Sequence, residues 1–149
     1  MSDKGKQLAP QIWSEIDKAK HILLHCHPSP DPDSVGGVLG MMHVLRKAGK
    51  EVTVIIGDSE PPNLLSHLPG FDQIQLNNWF DLDLSKFDLF ISQDSSSLGQ
   101  ISKLGEIKFP DSMRVVVMDH HGTSSSYGQV NFVEPSYSAV CQMDYELCR

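Results

Sequence analysis

The sequence predicts an α/β domain, a mostly parallel sheet flanked by helices on both faces. Segments with helical spacing of apolar residues alternate with short apolar runs along nearly the whole chain, which is the signature of strand–helix–strand units. The runs Ile22-Leu23-Leu24 and Val115-Val116-Val117-Met118 are apolar at every position, as parallel strands covered on both faces are. Three polar clusters rich in Asp and His begin just past such runs, where an open parallel sheet places its sites.

Each element follows from a local pattern. Residues 8–20 carry Ile12, Trp13, Ile16 and Ala19 at helical spacing. Residues 22–24 form the first strand, and the Pro-rich turn from Pro28 to Pro32 ends it. Residues 35–45 read as a helix with Val38, Leu39, Met42 and Leu45 on one face, and Gly49 stops it. Residues 52–56 form a second strand, 64–68 a helical turn and 72–76 a short third strand. Residues 87–91 form a further strand that ends at Ser92-Gln93-Asp94, and a short helix spans 98–104. Residues 114–118 are the clearest strand, 131–133 another, and 138–149 a terminal helix. That helix runs to the last residue with no closing strand or cap, so a domain incomplete at its C-terminus is expected over residues 1–149.

Composition narrows the classes. A chain of 149 residues with 40% hydrophobic and 21% charged residues is an ordinary globular domain. It buries roughly two-thirds of its unfolded surface without staples. A formal net charge of −7 argues against duplex DNA or an anionic membrane as partner. It is compatible with a small phosphorylated substrate, because bound divalent cations reverse the local sign of an acidic site. Cys26, Cys141 and Cys148 are odd in number and contain no CxxC pair, so neither a disulfide framework nor a four-Cys zinc site is indicated. The polar start, Met1 to Gln7, lacks the apolar core of a signal peptide. No apolar run has the length of a membrane span, and a cytoplasmic location is the default expectation.

The chemistry lies in the three clusters. The first is His27-Pro28-Ser29-Pro30-Asp31-Pro32-Asp33, the second Asp94, the third Asp119-His120-His121. Pro30 and Pro32 disfavour helix at Ser29 and Asp31, so the loop is stiff and the next helix starts at about Asp33. Gly36 and Gly37 let that helix approach a strand or a ligand closely. Carboxylates and imidazoles without thiolate suit Mn²⁺, Mg²⁺, Fe²⁺ or Zn²⁺. Five or more ligands exceed the needs of one ion, and a carboxylate-bridged pair about 3.5–4 Å apart fits better. Such a pair activates water, aligns a phosphoryl group and stabilises its leaving oxygen.

Plainer readings stand beside this one. Asp33 or Ser34 is an N-cap for the following helix, and Asp94 is a loop or cap residue. Adjacent histidines after a strand are simple loop polarity. His21, His43 and His67 read as surface or packing histidines, and Met41, Met42 and Met143 as core filler. His25 and Cys26 with His27 form a rival zinc site that lacks a second ligand pair.

His27-x-x-x-Asp31-x-Asp33, then Asp94, then Asp119-His120-His121, resembles the DHH phosphoesterase superfamily over about residues 8–149. The likeness is closest to the branch of oligoribonucleases, pAp phosphatases and cyclic dinucleotide phosphodiesterases. RecJ-type exonucleases and family II pyrophosphatases resemble it more distantly. The resemblance implies a Rossmann-like DHH domain holding two Mn²⁺ ions. His27 and Asp31 hold one ion, Asp33 and His120 the other, and Asp94 bridges them. Asp119 supports the site, His121 contacts the substrate phosphate, and Ser136 and Ser138 lie near it. The resemblance also implies a further Asp downstream and a C-terminal DHH-associated domain that binds substrate, neither of which is matched in residues 1–149. With only Arg46, Arg114 and Arg149 as arginines, the expectation is a substrate half supplied elsewhere, by a missing domain or by a homo-oligomer. The expected activity is metal-dependent hydrolysis of phosphate esters in nucleotides or short single-stranded oligonucleotides. The rivals are a non-catalytic metal- or nucleotide-binding module and an inorganic pyrophosphatase.

Overall fold

The computed structural model describes all residues from Met1 to Arg149. Helix α1 spans Asp3–Lys18, strand β1 His21–His25, helix α2 Pro32–Lys47 and strand β2 Glu51–Ile55. Strand β3 spans Leu89–Gln93, β4 Arg114–Asp119, β5 Val130–Val133 and helix α3 Val140–Leu147. The strands form one sheet in the order β2-β1-β3-β4-β5, and every pair is parallel.

The chain's direction across the sheet explains how the two faces are covered. From β1 it steps to the β2 edge by way of α2, then returns past β1 to β3 and continues outward to β4 and β5. Steps in opposite directions keep one crossover hand only if they use opposite faces. Accordingly α1, α2 and α3 share one face, with Ile22, Leu24, Ile91, Val116 and Met118 from the strands in a single cluster of 27 buried residues. The second face buries Leu23, Phe90, Val115 and Val117 under Trp79, Phe87, Ile101 and Ile107, in a cluster of 10. The sheet is parallel and helix-flanked as the sequence suggests, with all three α-helices on one face. The second face is covered by loop and by 3-10 turns, among them Trp79–Asp81 and Leu84–Lys86.

Two sequence expectations are corrected. The strand expected at 72–76 is a 3-10 turn, Phe71–Gln73, followed by a single parallel bridge between Ile55 and Gln75. Only Ile74 in that stretch is buried, too little apolar contact to hold a full strand. The helix expected over 98–104 is one turn, Leu98–Gln100, because the serines around it bond to other loops. Gly36 and Gly37 lie closest to α3: a Cβ on Gly37 would lie 2.7 Å from Val140 Cγ1 and 3.8 Å from Gln93 Nε2 of β3, and one on Gly36 3.2 Å from Cys141 Sγ. They set the closeness of α2 to α3.

Helix ends differ as well. Helix α1 starts at Asp3, where Ser2 accepts from the Gly5 amide, an N-cap ahead of the apolar stripe. Met41, Met42 and Met143 are fully buried core residues. No helix is long and apolar enough to cross a membrane.

Candidate metal centre

Strand β1 and the loop after it set the first ligands. His27 donates from Nδ1 to the Pro28 carbonyl at 3.0 Å. That bond assigns the tautomer and turns Nε2 toward Asp94 Oδ2, 3.4 Å away, and Asp31 Oδ1, 3.9 Å away. Asp31, rather than Asp33 or Ser34, is the N-cap of α2. Its Oδ1 accepts from the amides of Asp33 and Ser34, both at 2.9 Å. The extended conformation that Pro32 imposes on Asp31 is what an N-cap needs, and Pro32 takes the first helical position, where its missing N–H costs nothing.

Asp33 lies in the first turn of α2 and reaches a helix more than a hundred residues away. Its carboxylate accepts from Val140 N at 2.9 Å and Cys141 N at 3.2 Å, the free amides that open α3. The same Oδ2 stands 3.3 Å from His120 Nε2.

Strand β3 delivers Asp94, which is only 3% exposed and adopts a left-handed backbone at φ +52. Its Oδ2 faces His27, while its Oδ1 lies 3.4 Å from His120 Nε2 and 3.5 Å from His121 Nδ1. Oδ1 is buried with no hydrogen bond. Strand β4 delivers the third cluster. His120 donates from Nδ1 to the Tyr137 carbonyl at 3.3 Å, so its Nε2 points inward. Asp119 is fully buried and accepts from the His121 backbone at 3.1 Å and from His121 Nδ1 at 2.8 Å. His121 is thereby oriented with Nε2 free of any protein partner, on a side chain 49% exposed.

The ligand atoms fall into two groups that share Asp94. His27, Asp31 and Asp94 form one, and Asp94, His120 and His121 the other, with the atoms of each within 4.8 Å of one another. Imidazole nitrogens turned inward and an orphaned buried carboxylate oxygen between them fit divalent cations.

Electrostatics agree. Burial works to raise the Asp94 pKa, but the His27 contact and the three nearby imidazoles outweigh it and hold the carboxyl below its usual range. The Asp94 carboxylate in turn lifts His27 against the effect of burial, and Asp119 lifts His121. No Lys or Arg pairs with any of these acids, so imidazoles are their only cationic partners.

Other candidates stand apart. Ser136 donates to Glu134 and the Ser138 amide to Gln142, and neither bonds to a residue of the three clusters. The rival zinc trio does not assemble. His25 packs 5.1 Å from the Phe90 ring on the second face, whereas Cys26 lies in the helical-face core, as strand alternation dictates. Burial pushes His25 down to about 4 and the Cys26 thiol up to about 12. Two contributors were invisible in the sequence. One is the Tyr137 carbonyl behind His120. The other is buried Asp144, which accepts from Gln93 Nε2 at 2.6 Å, and whose pKa is raised far above the usual range by burial first and further by the Asp33 charge.

The chain is 31% identical over 127 residues to the bifunctional oligoribonuclease and PAP phosphatase NrnA of Bacillus subtilis (strain 168), covering 85% of this chain and 37% of that protein. It is 25% identical to the protein of the same name from Thermus thermophilus, over 96% of this chain and 43% of that one. It thus spans about two-fifths of the length of these relatives. A solved structure of an exopolyphosphatase-related protein from Bacteroides fragilis superposes with a TM-score of 0.84 at 23% identity, over 95% of this chain and 43% of that one. Residues 21–149 match the DHH family, N-terminal domain, and the chain belongs to that family.

Proposed function

We propose that this chain is the metal-binding domain of a phosphoesterase that hydrolyses phosphate esters in nucleotides or short oligonucleotides, with two Mn²⁺ ions as cofactor. The observation that carries the reading is the placement of Asp94, one oxygen toward His27 and the other toward His120 and His121. The names of the NrnA relatives, oligoribonuclease and PAP phosphatase, support the substrate class.

The residues divide the work. His27, Asp31 and Asp94 hold one ion, and Asp94, Asp33 and His120 the other. Bound, the ions supply Lewis-acid polarisation of a phosphoryl oxygen and acidify water. His121 presents Nε2 to a phosphate oxygen of the substrate. Asp119 favours the protonated form of that ring and so keeps a donor facing the developing negative charge. Asp31 and Asp33 are fixed by helix amides before any ion arrives, which limits the reorganisation that binding requires.

The second reading is a metal-dependent nucleotide-binding module whose catalytic complement lies in another domain or a partner. One experiment separates the two. The chain is incubated with Mn²⁺ and pAp, dinucleotides, cyclic dinucleotides and pyrophosphate. Release of phosphate or mononucleotide from the nucleotide substrates is the expected result. Nucleotide binding without release decides for the module, and orthophosphate from pyrophosphate alone for a pyrophosphatase.

A further inference from the structure

Asp94 holds a left-handed backbone conformation, at φ +52, that is uncommon for residues with a Cβ even though Asp tolerates it better than most. Such strain persists only where the surroundings over-determine it, and here the restraint is identifiable. The loop after β3 is tied to the loop after β4 on two successive carbonyls. The Ser125 amide and hydroxyl donate to the Ser96 carbonyl at 2.8 and 3.0 Å. The Tyr127 hydroxyl donates to the Ser95 carbonyl at 3.1 Å. Tyr127 has one proton to give, so Ser92 Oγ, 2.5 Å away, donates to the phenol oxygen in turn. The Tyr127 ring lies parallel to Phe109 at 6.3 Å, in the second-face cluster. The Asp94 amide itself donates to the Met118 carbonyl of β4 at 3.0 Å.

We infer that Tyr127 is a positioning residue for the metal centre: its hydroxyl, braced by Ser92, holds the Ser95 carbonyl and thereby keeps Asp94 turned so that its two oxygens face the two imidazole groups. The inference rests on the two-metal reading above. It assigns a role to a side chain that touches neither the ligands nor a substrate. It also explains a buried serine within β3: Ser92 is fully buried, and its hydroxyl lies against the phenol.

The test uses Tyr127→Phe in the full chain, which keeps the ring and deletes the hydroxyl. Mn²⁺ alone is titrated by calorimetry, and thermal unfolding is followed without metal. The expected result is an Mn²⁺ affinity lower by about tenfold, at the low end of what changes behind a ligand cost, with little change in metal-free melting. Ser92→Ala, which removes the brace and leaves the phenol, shifts affinity in the same direction by less. Ser125→Ala, which removes one of two bonds to the neighbouring carbonyl, leaves affinity within about twofold of wild type, because the backbone bond remains. Unchanged affinity in Tyr127→Phe, or an equal loss in Ser125→Ala, overturns the role of Tyr127. No Mn²⁺ uptake by the wild type overturns the metal reading instead.

Discussion

Asp33 and His120 meet at 3.3 Å, and Asp33 is at that point also the cap of α3, accepting from Val140 and Cys141. One carboxylate therefore closes a helix and faces a candidate metal ligand. Substitution separates the two roles. Asp33→Ala loses the cap, at about 1 kcal/mol, and lowers both the metal-free melting temperature and Mn²⁺ affinity. Asp33→Asn keeps an acceptor for α3 and so retains most of the stability while still losing Mn²⁺ affinity. Melting curves and calorimetric titration of both variants check this. Equal stability of the Ala and Asn variants would show that the α3 bonds contribute nothing.

Asp94→Ala removes the one carboxylate common to both ligand groups. Mn²⁺ binding and turnover are expected to disappear together, while the fold remains. Calorimetry that finds wild-type Mn²⁺ affinity in this variant sinks the bridging role.

On the proposed metal reading, proton and metal compete for His27. Asp94 raises its pKa above the ordinary 6.5. Its protonated form therefore adds metal-free stability that is fully present below the unfolded value and lost as pH rises through the raised one. A cation needs the same nitrogen unprotonated. Mn²⁺ affinity should accordingly fall as pH drops through that raised value, beginning above 6.5. His121, lifted by Asp119, adds to the metal-free term in the same direction. Melting with and without Mn²⁺ from about pH 6 to about pH 8 should give opposite slopes. Parallel slopes would show that His27 does not meet the ion.

Gly37 marks the contact of α2 with α3. A methyl group there would stand 2.7 Å from Val140 Cγ1, and both residues are buried. Gly37→Ala should cost about 1–3 kcal/mol by overpacking, despite the better helix propensity of alanine. Because Val140 N is held by Asp33, the shift is expected to weaken Mn²⁺ binding as well. A thermal melt and a titration of the same sample measure both effects.

The parallel sheet and the convergence of His27, Asp94 and His120 were legible because each stands at or just past the end of a strand-like run. Strand ends in a parallel sheet share one edge, so sequence order alone brings those residues together. Identifying Asp31 as the cap was harder, since Asp33 and Ser34 offer equally good side chains and only the backbone bonds decide. The second role of Asp33 was not legible at all: its partners Val140 and Cys141 lie 107 and 108 positions further on. Nor was the Tyr137 carbonyl, because every residue has one and only the fold selects it. The loop cover on the second face escaped for a different reason. Trp79 and Ile107 lie in stretches without the sustained periodicity that marks an element.

Two of the carboxylates at this centre cap helices, Asp31 at the start of α2 and Asp33 at the start of α3. The positive end of each helix dipole thus lies against a negative charge that would otherwise repel its neighbours. An acid cluster supported in this way does not depend on an ion to remain together. If the centre holds cations as proposed, a chelator should remove them and added metal restore them without unfolding, so removal of metal should act as a reversible off-switch and leave the protein folded.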